Sequence, residues 1–125
     1  MNKIATDLRQ SKKLAEFLPI ESADMYYDVN DYGVQSKPEI IVGGIWKKDI
    51  PAWSLSALMA VLPHELIFEL KSYRFKMCTD VYSSGEKYYD LGYQGSGYWL
   101  EYEDSTELVD ACYNLIIKLH ERGLL

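Results

Sequence analysis

Alternating polar and apolar positions dominate residues 73–103, and they predict a three-stranded antiparallel meander. A period of two is typical of strands that turn one face to a core and the other to solvent. Tyrosine and tryptophan, which suit a pleated and half-buried surface, are frequent in this region. We expect the rest of the chain to be organised around this meander.

Three other segments show the helical spacing of apolar residues. The first is predicted over residues 6–18, with Thr6 as its N-cap. The second is a short buried helix that follows Ser54, a residue suited to the N-cap position. The third is predicted to open with a capping box formed by Asp104 and Glu107.

Short strands are predicted near residues 25–29, 39–42 and 64–70, in addition to the meander. The element order is therefore α-β-β-α-β-β-β-α. Antiparallel strands with one apolar face need helices to cover that face. We predict an α+β fold in a single domain, residues 1–125. It consists of a twisted antiparallel sheet of four or five strands with the helices packed on one face.

The two turns of the meander predict how its strands pair. A three-residue loop over residues 83–85, with Gly85 in a left-handed conformation, places Met77 opposite Leu91. A two-residue type II′ turn at residues 95–96 places Trp99 opposite Gly92, where the indole would cover the glycine. In the same register Leu100 faces Leu91 and Tyr102 faces Tyr89, which makes one face of the hairpin wholly apolar.

The composition narrows the possible classes of protein. With 19 acidic and 13 basic residues the net charge is −6, which disfavours binding to nucleic acid. No apolar run approaches the ~18 residues of a membrane span. The first residues lack the apolar segment of a secretory signal, and two dissimilar cysteines suit a reducing compartment, so we expect a cytoplasmic protein.

The sequence contains no motif that predicts catalysis. It lacks a nucleophile elbow, a phosphate-binding glycine loop and an H-E-x-x-H pair. Cys78, Cys112, His64 and His120 do not have the spacing of a zinc site. We therefore expect no enzyme activity, no cofactor and no bound metal.

The best candidate site is the predicted outer face of the meander, with Arg74, Lys76, Asp90, Trp99 and Glu101. Here Asp90 and Glu101 would be cross-strand neighbours, and the two basic residues one strand away could neutralise them. An exposed tryptophan inside a charged rim is typical of a protein-binding hot spot. The partner would be an unknown protein or a second copy of the chain. A solvated surface of paired charges is the alternative interpretation.

A second hypothesis places a small-molecule pocket or an enzyme site between sheet and helices, lined by Trp53 and several tyrosines. Trp53 directly precedes the cap of the second helix. At that position a large apolar side chain usually packs against the helix, so core packing is the alternative role.

Four segments resemble a known family, namely residues 6–8, 10–15, 18–25 and 50–55, of which Ile-Pro-Ala-Trp-Ser-Leu is the most specific. The family consists of short proteins from Bacteroides-type gut bacteria, often encoded near phage or mobile-element genes. It has no assigned activity, so the resemblance identifies no functional residue. It implies a cytoplasmic, phage-associated accessory protein. Together with the predicted outer face, this favours a protein that acts through interaction or regulation.

Overall fold

The computed structural model describes residues 3–46 and 48–125. Its helices are α1 (Leu8–Ala15), α2 (Leu55–Val61) and α3 (Leu108–Glu121), with a 3-10 turn at Ile20–Ser22. Its strands are β1 (Met25–Tyr27), β2 (Val29–Asn30), β3 (Gly33–Val34), β4 (Glu39–Ile40), β5 (Ile50–Ala52), β6 (Glu65–Phe68), β7 (Lys71–Val81), β8 (Lys87–Gly95) and β9 (Tyr98–Ser105).

The main sheet has four antiparallel strands in the order β6-β7-β8-β9. Helix α3 packs across β8 and β9, and α2 packs on α3. The core lies between these helices and one face of the sheet, which we call the inner face. Its fully buried members include Leu91 and Tyr93 from β8 and Leu115, Ile116 and Leu119 from α3. The predicted α+β fold with helices on one face is confirmed.

Two small sheets were only partly predicted. One has the order β4-β1-β5 and the other is the β2-β3 hairpin. Strand β5 was missed because it contains Pro51 and has only three residues. Proline is tolerated there because β5 is an edge strand and needs no amide donor on its open side.

Helix α1 is shorter than predicted and has a different cap. Asp7 accepts a hydrogen bond from the backbone N–H of Gln10, whose side chain bonds back to the Asp7 N–H. Thr6, the predicted cap, is fully buried instead. Its hydroxyl lies 2.8 Å from that of Ser11 and accepts a hydrogen bond from the Trp53 N–H. Thr6 therefore joins α1 to the start of α2 rather than capping α1.

Helix α2 begins as predicted, because the Ser54 hydroxyl accepts a hydrogen bond from the Ala57 N–H. Helix α3 begins later than predicted. Asp104 still belongs to β9, where it pairs with Asp90, and Glu107 is the N-cap without a side-chain capping bond. The predicted capping box is therefore wrong, because pairing with β8 keeps the chain extended through Ser105.

The first hairpin of the meander has the predicted register. Met77 pairs with Leu91 and Phe75 with Tyr93. The loop spans residues 83–85, since Tyr82 and Glu86 are still hydrogen-bonded to each other, and Gly85 has a φ of 92°.

The second hairpin differs from the prediction. Its turn is Ser96-Gly97, where both residues have positive φ, as in a type I′ turn. Gly95 is the last residue of β8, where a Cβ would lie 2.4 Å from the Ser72 carbonyl oxygen of β7. The missing side chain of Gly95 therefore allows the β7 main chain to approach closely.

A bulge next to Tyr93 and Gln94 then shifts β9 by one further residue. Gln94 pairs with Trp99 but Tyr93 pairs with Glu101, so Leu100 is the extra residue. As a result Tyr102 pairs with Gly92 and takes the face that was predicted for Glu101.

Candidate functional site: the outer face of the sheet

The side of the main sheet opposite the helices is called here the outer face. Its residues follow from the strand registers: Glu65 and Ile67 of β6, Ser72, Arg74, Lys76, Cys78 and Asp80 of β7, Tyr88, Asp90, Gly92 and Gln94 of β8, and Trp99, Tyr102 and Asp104 of β9. None of the described helices packs against this surface. It is therefore a broad sheet surface open to solvent.

Two aromatic pairs lie on the outer face. The rings of Trp99 and Tyr102 are 5.2 Å apart and tilted by 59°, and these residues are 39% and 37% exposed. Tyr82, the residue after β7, continues the ladder with β8 and is a further member of the outer face. At this far end of the β7-β8 hairpin, the rings of Tyr82 and Tyr88 stack at 4.2 Å. Such rings present large apolar areas with polar tips, which is the composition of many binding surfaces.

Gly92 explains why Trp99 can lie flat on the sheet. A Cβ at this position would be 3.0 Å from Trp99 Cε3 and only 2.2 Å from the Glu101 carbonyl oxygen. The predicted contact between Trp99 and Gly92 is thus present, although Trp99 pairs directly with Gln94. The indole reaches the glycine diagonally across the bulged strands.

Carboxylates surround the tyrosines of this surface. The Tyr102 hydroxyl donates a 2.6 Å hydrogen bond to Asp90 Oδ1, and this bond raises the pKa of Tyr102 strongly. Partial desolvation and the nearby charges of Asp80 and Asp90 also raise the pKa of Tyr88. Both phenols therefore stay protonated at neutral pH and act as hydrogen-bonding groups rather than as bases.

The two predicted basic residues lie on the outer face as expected. Arg74 Nε is 3.8 Å from a carboxylate oxygen of Glu65, and the arginine side chain is 83% exposed. Lys76 Nζ donates to Gln94 Oε1 at 3.2 Å. Both cations remain available to a partner, because exposed pairs of this kind contribute little to stability.

Glu101 does not lie on the outer face. Its carboxylate accepts a 2.7 Å hydrogen bond from Arg122 of α3, and Glu103 forms a 3.0 Å ion pair with Lys118. The bulge directs both glutamates toward the basic residues of α3. The predicted neighbour pair of Asp90 and Glu101 is therefore wrong, and Asp104 is the residue that pairs with Asp90.

Trp53, the alternative ligand-binding residue, is fully buried, and its indole N–H donates to the Ser22 hydroxyl at 2.9 Å. It packs in the core with Leu14 and Leu58. An open groove of about 500 Å³ is lined by residues such as Ser22, Ala57 and Leu125 but not by Trp53. The indole therefore has no surface free to stack on a ligand.

Within the described ranges, no cluster of three or more histidine, cysteine or acidic residues is arranged to hold a metal ion. The helices of residues 3–46 and 48–125 include none that is long and apolar enough to cross a membrane. Comparison of the chain with protein-family models, curated proteins and solved structures finds no match.

The sequence interpretation missed Tyr102, Tyr82, Tyr88 and Asp104 as members of this surface. The spacing of Lys118 and Arg122 was the available signal, because residues four apart on a helix share a face. Two partly exposed cations on the sheet-facing side of α3 favour carboxylates opposite them. That preference is consistent with Glu101 on the inner side and Tyr102 on the outer side.

Proposed function

We propose that this chain is a non-enzymatic interaction module that binds another protein through its outer face. The proposal rests on one observation: the half-exposed rings of Trp99 and Tyr102 lie together on a sheet surface that no described helix covers. Binding energy in protein interfaces concentrates in aromatic and arginine residues within a polar rim. Arg74, Lys76 and Asp90 supply such a rim on the neighbouring strands.

Rigidity supports this assignment. Trp99 is held by the tilted contact with Tyr102, and Tyr102 is held by its bond to Asp90. A pre-ordered aromatic anchor loses little conformational entropy on binding. From the family resemblance, we further propose that the module serves as a cytoplasmic accessory or regulatory protein associated with a phage or mobile element.

A tagged-bait pull-down from lysate of the source cells tests this function. The baits are the wild type, Trp99→Ala and the matched control Trp46→Ala, whose tryptophan is 76% exposed and lies outside the main sheet. We expect a specific protein to be retained by wild type and Trp46→Ala and lost with Trp99→Ala. Titration calorimetry with the purified partner should show at least about thirtyfold weaker binding, since hot-spot truncation costs about 2 kcal/mol or more.

Circular dichroism and thermal unfolding of all three baits establish that each is folded. Loss of the partner with both tryptophan variants would indicate general damage rather than an outer-face site. Equal retention by all three folded baits would refute the outer face as the binding surface.

A further inference from the structure

The main-chain groups at the two edges of the main sheet differ in how far other parts of the chain cover them. Strand β9 forms one edge, and α3 covers part of its main chain. Lys118 Nζ donates to the Tyr102 carbonyl oxygen at 2.9 Å, and Arg122 Nη1 donates to that of Leu100 at 2.8 Å. These bonds occupy acceptors that another strand would need, which is one way in which proteins block sheet edges.

The opposite edge is open over half of its length. Strand β6 pairs only with residues 71–74 of β7, and the last bond on this side joins the Phe75 N–H to the His64 carbonyl oxygen. Residues 76–81 of β7 extend beyond β6 and are all exposed. They pair with β8 on one side only.

Strand geometry identifies the groups that point to the open side. Main-chain groups of successive residues alternate between the two sides of a strand. Phe75 bonds toward β6 and Tyr82 bonds toward the β8 side, so Met77, Thr79 and Val81 direct their N–H and C=O groups to the open edge. There the Val81 N–H bonds to the side chain of Asp80. No hydrogen bond from the other described residues reaches the Met77 or Thr79 main chain on this side.

We propose that a second copy of this chain pairs with this edge, β7 against β7, across a two-fold axis at Thr79. In an antiparallel pair, the residues whose main-chain groups point to the partner strand must lie opposite each other. The two-fold axis must therefore pass through a residue rather than between two residues. Near the middle of the open segment this leaves residues 78, 79 and 80. An axis at residue 78 would place Val81 of the second copy where His64 already bonds. An axis at residue 80 would oppose two Asp80 carboxylates. Residue 79 remains.

This register is self-complementary. Thr79 faces Thr79 of the second copy, and Met77 of each copy faces Val81 of the other. In this pair the Val81 N–H exchanges its bond to Asp80 for one to the Met77 carbonyl oxygen. The Met77 and Val81 side chains are 43% and 57% exposed in the single chain, so pairing buries apolar surface on the inner side. On the outer side Lys76 lies diagonal to Asp80 of the second copy, within reach of an ion pair.

Joining the two sheets in this way makes them continuous and places both outer faces on the same side. The contact involves about six residues from each copy, far fewer than the 20–30 of a standard interface. We therefore expect reversible association at high protein concentration rather than an obligate dimer.

Cysteine cross-linking tests the axis directly. In a Cys78→Ser background, Thr79→Cys brings two thiols together at the axis, where opposed Cα atoms about 5.5 Å apart allow a disulfide. Met77→Cys in the same background is the matched control. It lies on the same strand and face but four residues from its counterpart. We expect mild oxidation to give a species of doubled mass with Thr79→Cys and not with Met77→Cys.

Sedimentation velocity over a range of concentrations measures association of the chain without a cross-link. We expect concentration-dependent dimerisation of the wild type, and about tenfold or greater weakening by Val81→Lys, which places a charge on the paired edge. Trp99→Ala should dimerise normally, which keeps this test separate from the pull-down. A disulfide in Met77→Cys would overturn the axis at Thr79. A monomer at every concentration would overturn the pairing of two copies. An extended segment of a different protein would then be the alternative occupant of this edge.

Discussion

At the scale of single residues, Gly92 is the position on which the outer face depends most directly. Its missing side chain lets the β9 backbone approach and gives the Trp99 indole a place to lie. A close approach of this kind is one of the reasons for which a strand interior tolerates glycine. The main chain of Glu101 and Tyr102, rather than a flexible side chain, forms two of the three nearest contacts.

We expect Gly92→Ala to destabilise the fold by about 1–3 kcal/mol, the usual cost of forcing extra volume into a packed site. Urea unfolding followed by tyrosine and tryptophan fluorescence measures this change. Gln94→Ala is the control, because Gln94 lies on the same strand and face and its one side-chain bond is to the exposed Lys76. Equal stability of Gly92→Ala and wild type would show that β9 can shift without cost.

At the scale of elements, α1 has a capping box that is also part of an ion-pair cluster. Lys3 Nζ lies 3.2 Å from Asp7 and 2.7 Å from Asp110 of α3. Burial alone would raise the pKa of Asp7. The hydrogen bond from the Gln10 N–H and the charge of Lys3 outweigh it and hold the Asp7 pKa below its ordinary value of 3.8.

A lowered pKa in the folded state means that the Asp7 charge stabilises the protein above pH 3.8, and that this contribution is lost as the pH falls through the folded-state pKa. We expect Asp7→Asn, which keeps a capping oxygen, to be less stable than wild type at neutral pH. The difference should shrink below about pH 4. Asp7→Ala should lose about 1 kcal/mol at neutral pH, since it also removes the cap.

Thermal unfolding at a series of pH values follows all three proteins. A difference between wild type and Asp7→Asn that persists unchanged well below pH 3.8 would contradict the electrostatic role of Asp7.

At the scale of the whole molecule, the two cysteines lie in opposite environments, one at the surface and one in the core. Cys78 is exposed on the outer face, whereas Cys112 is fully buried in α3 with its sulfur 3.8 Å from that of Met59. Burial raises the pKa of the Cys112 thiol to about 12. Because the thiolate is the reactive form, Cys112 needs the core to open before it reacts.

We expect a thiol reagent at neutral pH to modify one cysteine of the native protein quickly and the second only at the rate of core opening. Denaturant should make both thiols react at once, and Cys78→Ser should abolish the fast phase. Two fast phases in the native protein would contradict the packing of α3 against α2.

Local sequence determined much of the architecture. Alternation in residues 73–103, the Ser54 cap and the Gly85 loop depend on interactions between near neighbours, and all three are present in the structure. Trp99 faces outward because its observed pairing differs from the predicted one by two residues, which keeps the side chain on the same face. Near neighbours specified the outward placement of Arg74, Lys76 and Asp90. These features are local because turn chemistry and side-chain period are set within a few residues.

Only the tertiary structure decided the face taken by Glu101 and Tyr102. Two glycines allowed the hairpin to turn at either of two places, and in the structure it turns at Ser96-Gly97 while Gly95 lies in β8 against the Ser72 main chain. The bulge places Glu101 against α3, where its carboxylate accepts the hydrogen bond from Arg122. A one-residue slip reverses every later side chain in a strand, so the position of this bulge, which the local sequence does not show, decides which residues of β9 form the outer face.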